Sequence, residues 1–425
     1  MIEKKFQDLS TGGYNELWFI QKYNEILASG KKYALVQINI KNFRYYNTKH
    51  GYQGGNEVLT LVYDSILDLL SEEEYAARIY ADNFALLLKC EDTNALLYDR
   101  LIEKIDLFYR IEDPRVYRNL FLSYGICEIK EDMSFQKAWS DANLARKESA
   151  SPNRRCHSLE IYDNKIHHQY MDRIELEVRT ADAYKDYEFF PFYQPKVDAK
   201  THKVVGAEAL LRWYDEEGNL VPLYKYLPIL NENSYIILVD LDIFDITCKL
   251  LEERLKKGLY VVPISFNLSK ASFYEKTVIQ DYIEIFEKYD IPKDLIQIEL
   301  METISLDDTD RMKYIISSFV DYGFKCILDD FGNGYSSFNV LLNNDISAVK
   351  IDRQFFLDNL NGDSKLIIKT VINLIKSLHM EVVAEGVETK EHADYLRECG
   401  CDMIQGFYFY KPISTDEFIK VLDNQ

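Results

Sequence analysis

FKCILDD (324–330) is five largely apolar residues of strand-forming character closed by two acids. Six other short runs in the C-terminal half end in the same way: VVGAEAL (204–210) carries Glu208, VVPISFN (261–267) ends on Asn267, and LIQIEL (295–300) holds Glu299. ISAVK (346–350) ends on Lys350, EVVAE (381–385) on Glu385 and CDMIQ (401–405) on Gln405. Between them lie stretches of helical periodicity, among them DLDIFDITCKLLEERLKKG (240–258), TVIQDYIEIFEKY (277–289), RMKYIISSFVDYG (311–323) and LIIKTVINLIKSLHM (366–380). Strand and helix therefore alternate at the length of a βα unit. Strands joined through helices run parallel, and in a closed βα barrel their C-terminal ends converge on one face, where such barrels place their active sites.

The groups delivered to that face are five acids, two amides and one lysine, with no histidine or cysteine. Carboxylate and amide oxygens suit hard divalent cations, magnesium or manganese, far better than zinc. So many carboxylates together repel one another unless cations offset them. A bridging carboxylate from the Asp329–Asp330 pair could hold two metals roughly 3.5–4 Å apart, a geometry suited to phosphodiester hydrolysis. Each residue alone has a plainer explanation: a helix N-cap for an acid after a strand, a solvated surface for the lysine, a turn for the asparagine. No common structural demand, however, puts such groups at one end of seven strands.

The residues that carry this pattern also carry a resemblance. FYQP (192–195), AEALLRW (207–213), FNLS (266–269), ELME (299–302), DDFGNGYSS (329–337), KID (350–352), AEGVET (384–389) and QGFYF (405–409) resemble, in order, the EAL-domain cyclic di-GMP phosphodiesterases. The resemblance covers roughly residues 175–425, a length typical of a TIM-type (β/α)8 barrel. It implies hydrolysis of cyclic di-GMP to linear pGpG with two divalent cations, Mg2+ or Mn2+. It further implies that Glu208, Asn267, Glu299, Asp329, Asp330 and Glu385 are metal ligands, with Asp329 bridging. By the same resemblance Lys350, Glu385 and Gln405 hold or orient the attacking water, Glu208 joins them in catalysis, and Arg212 and Gln194 bind substrate. Glu302 would anchor the loop GNGYSS (332–337), which links the metal site to contacts in a homodimer formed through the barrel. Departures from the family pattern are Met301, Asn333 and Asn231, none of them a presumed ligand.

The first third of the chain resembles a GGDEF diguanylate cyclase domain through TGGYN (11–15), INIKNFRYYNTKHGYQGGNEVL (38–59), ARIYADNFALLL (77–88) and SYGI (123–126). Its catalytic positions are eroded. The signature loop reads Tyr80-Ala81-Asp82-Asn83-Phe84, with a bulky residue and an alanine where two glycines would let a triphosphate approach the backbone. Asn39 replaces a metal-binding acid and Asn56 a guanine-binding one, whereas Asn47 matches a guanine contact. The arginine and aspartate of the inhibitory motif are replaced by Ser71 and Glu74. Amides in place of acids remove the negative charge that a magnesium–triphosphate site needs, so cyclase activity is not expected. GTP sensing, a protein-interaction or allosteric role, and a passive folding role stay open for this domain, with the interaction or allosteric role favoured.

The expected organisation is thus an α+β, nucleotide-cyclase-type domain over 1–155, a helical linker over 156–180 and an EAL barrel over 181–425. The linker begins with a turn-rich, basic break (SPNRRCHSLE, 151–160) and continues as a charged stretch of helix-forming composition. A net charge of −20 disfavours nonspecific binding to polymeric nucleic acid or an anionic membrane. Seven scattered cysteines suit a reducing cytoplasm, and no apolar run approaches the ~20 residues of a membrane span. The main alternative to an enzyme is a receptor that captures cyclic di-GMP without cleaving it and signals to a protein partner. Receptor-type members lose several of the positions kept here. A pure scaffold would need neither Lys350, Glu385 nor Gln405.

Overall fold

A computed structural model describes residues 2–90, 101, 121–149, 158–302, 308–332, 341, 345–357 and 362–425. The chain divides into two compact units, Met1–Ile174 and Glu175–Gln425.

The first unit is built on a five-stranded sheet of β1 (Tyr33–Lys41), β2 (Tyr75–Tyr80), β3 (Asn83–Lys89), β4 (Phe121–Glu128) and β5 (Ser158–Ile161), in the order β2-β3-β1-β4-β5. β1 lies at the centre, antiparallel to β3 and β4, while β4 and β5 run parallel. Its sequence YALVQINIK is apolar at six of nine positions, on both faces, because both faces are covered. Ala34, Val36, Ile38 and Ile40 pack with Val58, Leu59, Val62 and Ile66 of the helix Phe43–Leu67. The alternate residues Tyr33 and Leu35 pack with Phe19 and Tyr23 of the helix Glu16–Ser29 and with Phe135 and Ala138 of the helix Phe135–Ser149. This is the period-two alternation of a strand buried on both sides. Each fully buried large aliphatic side chain contributes roughly 1.5–3 kcal/mol. The helix Phe43–Leu67 is broken at Gly51, whose φ of 73° and ψ of 172° suit only a residue without a β-carbon.

The second unit is a closed eight-stranded barrel, as the alternation of apolar runs and helices predicts. Its strands are β6 (Phe189–Asp198), β7 (Val204–Trp213), β8 (Ile264–Asn267), β9 (Ile296–Met301), β10 (Lys325–Phe331), β11 (Ile346–Ile351), β12 (Glu381–Ala384) and β13 (Met403–Ile404). β7 to β13 are the seven runs identified above, and neighbours among them pair in parallel. β6 departs from a strict βα repeat, pairing antiparallel with both β7 and β13. The reason is its connection. A tight turn joins β6 to β7, in which Asp198 accepts from the backbone N–H groups of Lys200 (3.1 Å) and Thr201 (2.6 Å), and a turn of that length cannot make the crossover that parallel strands need.

Helices cover the barrel. Phe244 of the helix Tyr235–Lys256 meets Phe266 of β8 edge to face at 4.9 Å and Tyr282 of the helix Val278–Phe286 at 4.7 Å. The C-terminal helix Thr415–Asp423 opens with a capping box between Ser414 and Glu417 and stacks Phe418 on Tyr193 of β6 at 4.7 Å. The charged stretch that follows β5 forms the helix Asn164–Lys185, within which the first unit ends at Ile174 and the second begins at Glu175. Among the described residues no helix is long and apolar enough to cross a membrane.

Candidate active site

Strand register sets the height of each functional side chain. Gln194 pairs with Glu208 across β6 and β7, Asn267 with Glu299 across β8 and β9, and Asp329 with Met301 across β10 and β9. The side chains meet around Lys350 of β11, which is only 1% exposed. Its ammonium lies 3.2 Å from both Glu208 and Asp329 and in closer contact still with Glu299 and Glu385. Glu208 also accepts from the amide of Asn267 (2.6 Å) and from Gln405 (2.7 Å). Gln405 contacts Gln194 at 3.1 Å, and Gln194 donates to the carbonyl of Tyr410 at 3.1 Å. The structure thus brings Glu208, Asn267, Glu299, Asp329, Lys350, Glu385, Gln405 and Gln194 into one continuous network.

Asp330 enters it by a local device. In a regular strand Asp329 and Asp330 would face opposite sides. Asp330 instead adopts φ 58°, in the left-handed region, and donates its N–H to the carboxylate of Asp329 at 2.9 Å. Oxygen atoms of Asp329, Asp330 and Glu385 lie within 4.8 Å of one another, as do those of Glu208, Glu299 and Glu385. Strained backbone of this kind persists where surrounding structure holds it and clusters at functional sites.

The electrostatics follow from burial and crowding. Burial, helped by Glu299 and Glu208 and opposed by Lys350, pushes Asp329 up to about 7. Burial together with the charge of Asp352 and a hydrogen bond to it raises Asp330. Burial, opposed by Lys350 and reinforced by Asp329, Glu208 and Glu299, lifts Glu385 well above the usual carboxylate range. Glu299 goes the other way: burial raises it, but Lys196 and Lys350 outweigh that and hold it at about 2. For Lys350, burial favours the neutral amine, yet Asp329, Glu208, Glu299 and Glu385 prevail and raise it well above its ordinary value. A cluster in which neighbouring acids push one another up, around one ammonium, is short of positive charge.

The donor set fits hard divalent cations. It is made of carboxylate and amide oxygens without sulfur or imidazole, and the buried Oε1 of Gln405 has no hydrogen-bond partner among the described residues. A buried acceptor left open in this way calls for a water or an ion.

Two cavities border the cluster. One of about 280 Å³ beside Asn267 is lined by Leu210, Arg212, Leu227, Asp240, Phe266 and Met301, among others. Arg212 is half-buried there, donates to the carbonyl of Leu211 at 2.6 Å and lies 5.8 Å from the centre of the Phe192 ring. The second, of about 170 Å³, is lined by Gln194, Glu208, Arg353, Glu385, Gln405 and Phe407, among others. Buried Glu302 accepts from the N–H of Gly332 at 3.0 Å, where the loop after Asp330 begins. The rest of that loop, with Asn333, lies outside the described residues, as do residues 151–157 of the linker break. Of the other departures, Met301 and Asn231 both line the larger cavity.

Sequence reasoning passed over three residues. Lys196 of β6, 1% exposed, donates to Glu299 (2.8 Å) and Ser265 (2.7 Å). Asp352 stands inside the quoted KID but was given no role, and it is buried against Asp330. Asp240 accepts from the hydroxyl of Ser272 at 3.2 Å, and burial pushes its carboxyl up to about 7 against the hydrogen bonds from Ser269 and Ser272. A lysine following the aromatic-rich FFPFYQP of this strand was the available signal for the first.

In the first unit the signature residues form a β2–β3 hairpin whose turn holds Ala81 at φ 47°. The amides that stand for acids bond to one another: the Asn83 side-chain oxygen accepts from Gln37 at 3.2 Å and from Asn39 at 3.4 Å. Asp82 is raised by burial, against hydrogen bonds from its own N–H and Asn39 and the charges of Arg146 and Arg78. Asn56 is exposed, and the Oδ1 of Asn47 is buried against Gly55 without a hydrogen-bond partner among the described residues. Glu74 has a structural task, accepting from the N–H of Ser71 (2.8 Å) and of Lys89 (3.0 Å).

Comparison with known proteins agrees with this division. The family model "EAL domain" matches residues 177–412, and "Diguanylate cyclase, GGDEF domain" matches 6–155. The signaling protein YkoW of Bacillus subtilis is 27% identical over 395 residues, covering 91% of this chain and 49% of its own. The cyclic di-GMP phosphodiesterase PdeR of Escherichia coli is 25% identical over 398 residues, covering 92% and 59%. The chain therefore spans about half the length of these relatives. Among solved structures, the PaMucR phosphodiesterase in complex with c-di-GMP is 27% identical, with a TM-score of 0.55, and covers 57% of this chain and 99% of its own. The S helix-GGDEF-EAL portion of Vibrio cholerae LapD bound to c-di-GMP, at 16% identity, shares the fold over 95% of this chain and 96% of its own with a TM-score of 0.58.

Proposed function

The chain belongs to the EAL domain family, with a GGDEF domain ahead of the barrel, and from this we propose that it hydrolyses cyclic di-GMP to linear pGpG. The observation that carries the reading is the ring of Glu208, Glu299, Asp329 and Glu385 around Lys350, with Asp330 turned towards it and Asn267 and Gln405 bonded to it. Glu208, Asn267, Glu299, Asp329, Asp330 and Glu385 would hold two divalent cations, Mg2+ or Mn2+. Bound there, such cations would lower the pKa of a water and offset negative charge on the departing oxygen.

The remaining work falls to the chain's own groups. Lys350 donates to and orients the attacking water, and Gln405, whose Oε1 is open, accepts a hydrogen bond from it. Glu385, in contact with Lys350 and bordering the smaller cavity, holds the water on its reactive face. Arg212, in the larger cavity, offers its forked donors to a phosphate, and Gln194 contacts the substrate from the smaller one. The two cavities would take the two bases of the dinucleotide. Glu302 anchors the loop that follows Asp330.

The GGDEF domain is a regulatory or interaction domain without cyclase activity in this reading. Its support is the amide network of Asn39 and Asn83 and the Tyr80–Ala81 turn. Asn47, whose buried Oδ1 has no hydrogen-bond partner among the described residues, is the feature that favours residual GTP binding. A cytoplasmic homodimer joined through the barrel completes the proposal, and the six cysteines among the described residues are all free thiols, in keeping with a reducing compartment.

Incubation of the purified chain with cyclic di-GMP and Mg2+ or Mn2+, beside a Glu208→Ala control, tests the reading by chromatography of the product. Formation of pGpG by the unaltered chain alone is the expected result. Tight binding without turnover would move the protein to the receptor class.

A further inference from the structure

We propose that Lys196 is a positioning residue that fixes Glu299 from inside the barrel and thereby sets the affinity of the site for divalent cations. The inference rests on the reading of the carboxylate cluster as a metal site. Lys196 lies on β6, the antiparallel strand, and its side chain is 1% exposed. Its ammonium donates to Oε1 of Glu299 at 2.8 Å and to the hydroxyl of Ser265 at 2.7 Å. Ser265 in turn donates to the carbonyl of Ala207 at 3.3 Å. One ammonium thus ties side chains of β6, β8 and β9 together and, through Ser265, reaches the backbone of β7.

The division of labour at Glu299 is specific. Lys196 takes Oε1, whereas Oε2 faces Lys350 and the cluster. A carboxylate gripped at one oxygen presents the other in a single orientation, the usual arrangement of a partner that orients a metal ligand. Lys196 lines neither cavity at the cluster. It can therefore influence the reaction only through Glu299 and is not a catalytic residue. A buried ammonium is costly to desolvate, so the barrel would be at least as stable with an apolar side chain and an apolar partner in place of the pair. Removing Lys196 alone leaves Glu299 buried with one oxygen unheld.

The test is binding of Mn2+ alone to the full chain and to Lys196→Met, Lys196→Gln and Ser265→Ala, each first shown to be folded by circular dichroism. Lys196→Met should weaken Mn2+ binding about 10–100-fold, the range typical of residues that orient a metal ligand. Lys196→Gln, which keeps a donor without the charge, should fall between it and the unaltered chain, and Ser265→Ala should show a smaller loss in the same direction. At saturating Mn2+ the glutamine variant should regain most of its kcat. A folded Lys196 variant that binds Mn2+ as the unaltered chain does overturns the inference. If the methionine variant does not fold, Lys196→Gln and Ser265→Ala decide by the same criterion. If the unaltered chain itself binds no Mn2+, the metal-site reading falls, and this inference with it.

Discussion

Asp330 follows Asp329 directly, yet an oxygen of each lies within 4.8 Å of the other, because Asp330 turns at φ 58° instead of continuing the strand. Asp330 is also raised by burial and by Asp352 beside it, so its carboxylate sits under repulsion. Asn tolerates the left-handed region better than most residues and carries no charge. Asp330→Asn should therefore leave the metal-free chain as stable or more stable, by up to about 1 kcal/mol, while weakening Mn2+ binding at least about tenfold. Urea melts with and without Mn2+ measure both quantities. A variant that gains no stability and binds metal normally would remove Asp330 from the site.

Gly406 holds two functional segments together. A β-carbon there would lie 2.2 Å from the carbonyl oxygen and 2.3 Å from the nitrogen of Val387, and backbone cannot yield as a flexible side chain can. Val387 donates to the carbonyl of Gln405 at 3.2 Å, and Gln405 to that of Ala384 at 2.8 Å, so the clash falls between the segments that carry Gln405 and Glu385. Gly406→Ala should cost about 1–3 kcal/mol of stability. It should also lower kcat by roughly 100-fold, the effect of a misplacement near 1 Å. Steady-state kinetics on the folded fraction would show whether the loss lies in kcat.

Stability should depend on pH through Asp240, which burial pushes up to about 7. Its ordinary value in an unfolded chain is about 3.9, so between the two values the native state binds more protons than the unfolded state. The contribution of Asp240 is therefore fully present below about pH 4 and lost as pH rises through about 7, at up to about 1.4 kcal/mol per pH unit within the window. Asp240→Asn should show a flatter profile from pH 5 to 8 by chemical denaturation. Parallel profiles for the two proteins would contradict the assignment.

Ala81 occupies a turn at φ 47°, which disfavours a β-carbon by roughly 1–2 kcal/mol. Ala81→Gly should stabilise the first unit by about 1 kcal/mol, less the backbone freedom that glycine adds to the unfolded chain. It should create no cyclase activity, since Asn39 and Asn83 still bond to each other at 3.4 Å where acids would be required. Denaturant melts and incubation with GTP and magnesium test the two parts separately.

The barrel was legible because seven apolar runs end alike and helical stretches separate them. Lys350 and Glu385 could be placed at one rim for that reason alone. The reversal of β6 was not legible from the same pattern, because it depends on the short turn at Asp198–Lys203, and strand composition carries no sign of direction. Lys196 was missed for a related reason. A lysine in a first strand reads as solvated until the closed barrel shows that its neighbours are Ser265 and Glu299. Asp240 shares its helix with Asp242 and Asp245, all three partly exposed, so nothing in DLDIFD marks Asp240 as the one that faces Ser272 and lines the larger cavity. The left-handed turn at Asp330 is a backbone property that the doublet Asp329–Asp330 hinted at but did not specify.

The central claim is that the cluster around Lys350 is a metal-dependent phosphodiesterase site. Its most direct test is to strip the purified chain of metal with a chelator, add cyclic di-GMP, and follow pGpG before and after Mn2+ is supplied, with Glu208→Gln in parallel. The account predicts no product from the stripped chain, prompt pGpG formation on adding Mn2+, and little or none from the variant. Equal hydrolysis with and without metal, or substrate bound but uncut at saturating Mn2+, would contradict it.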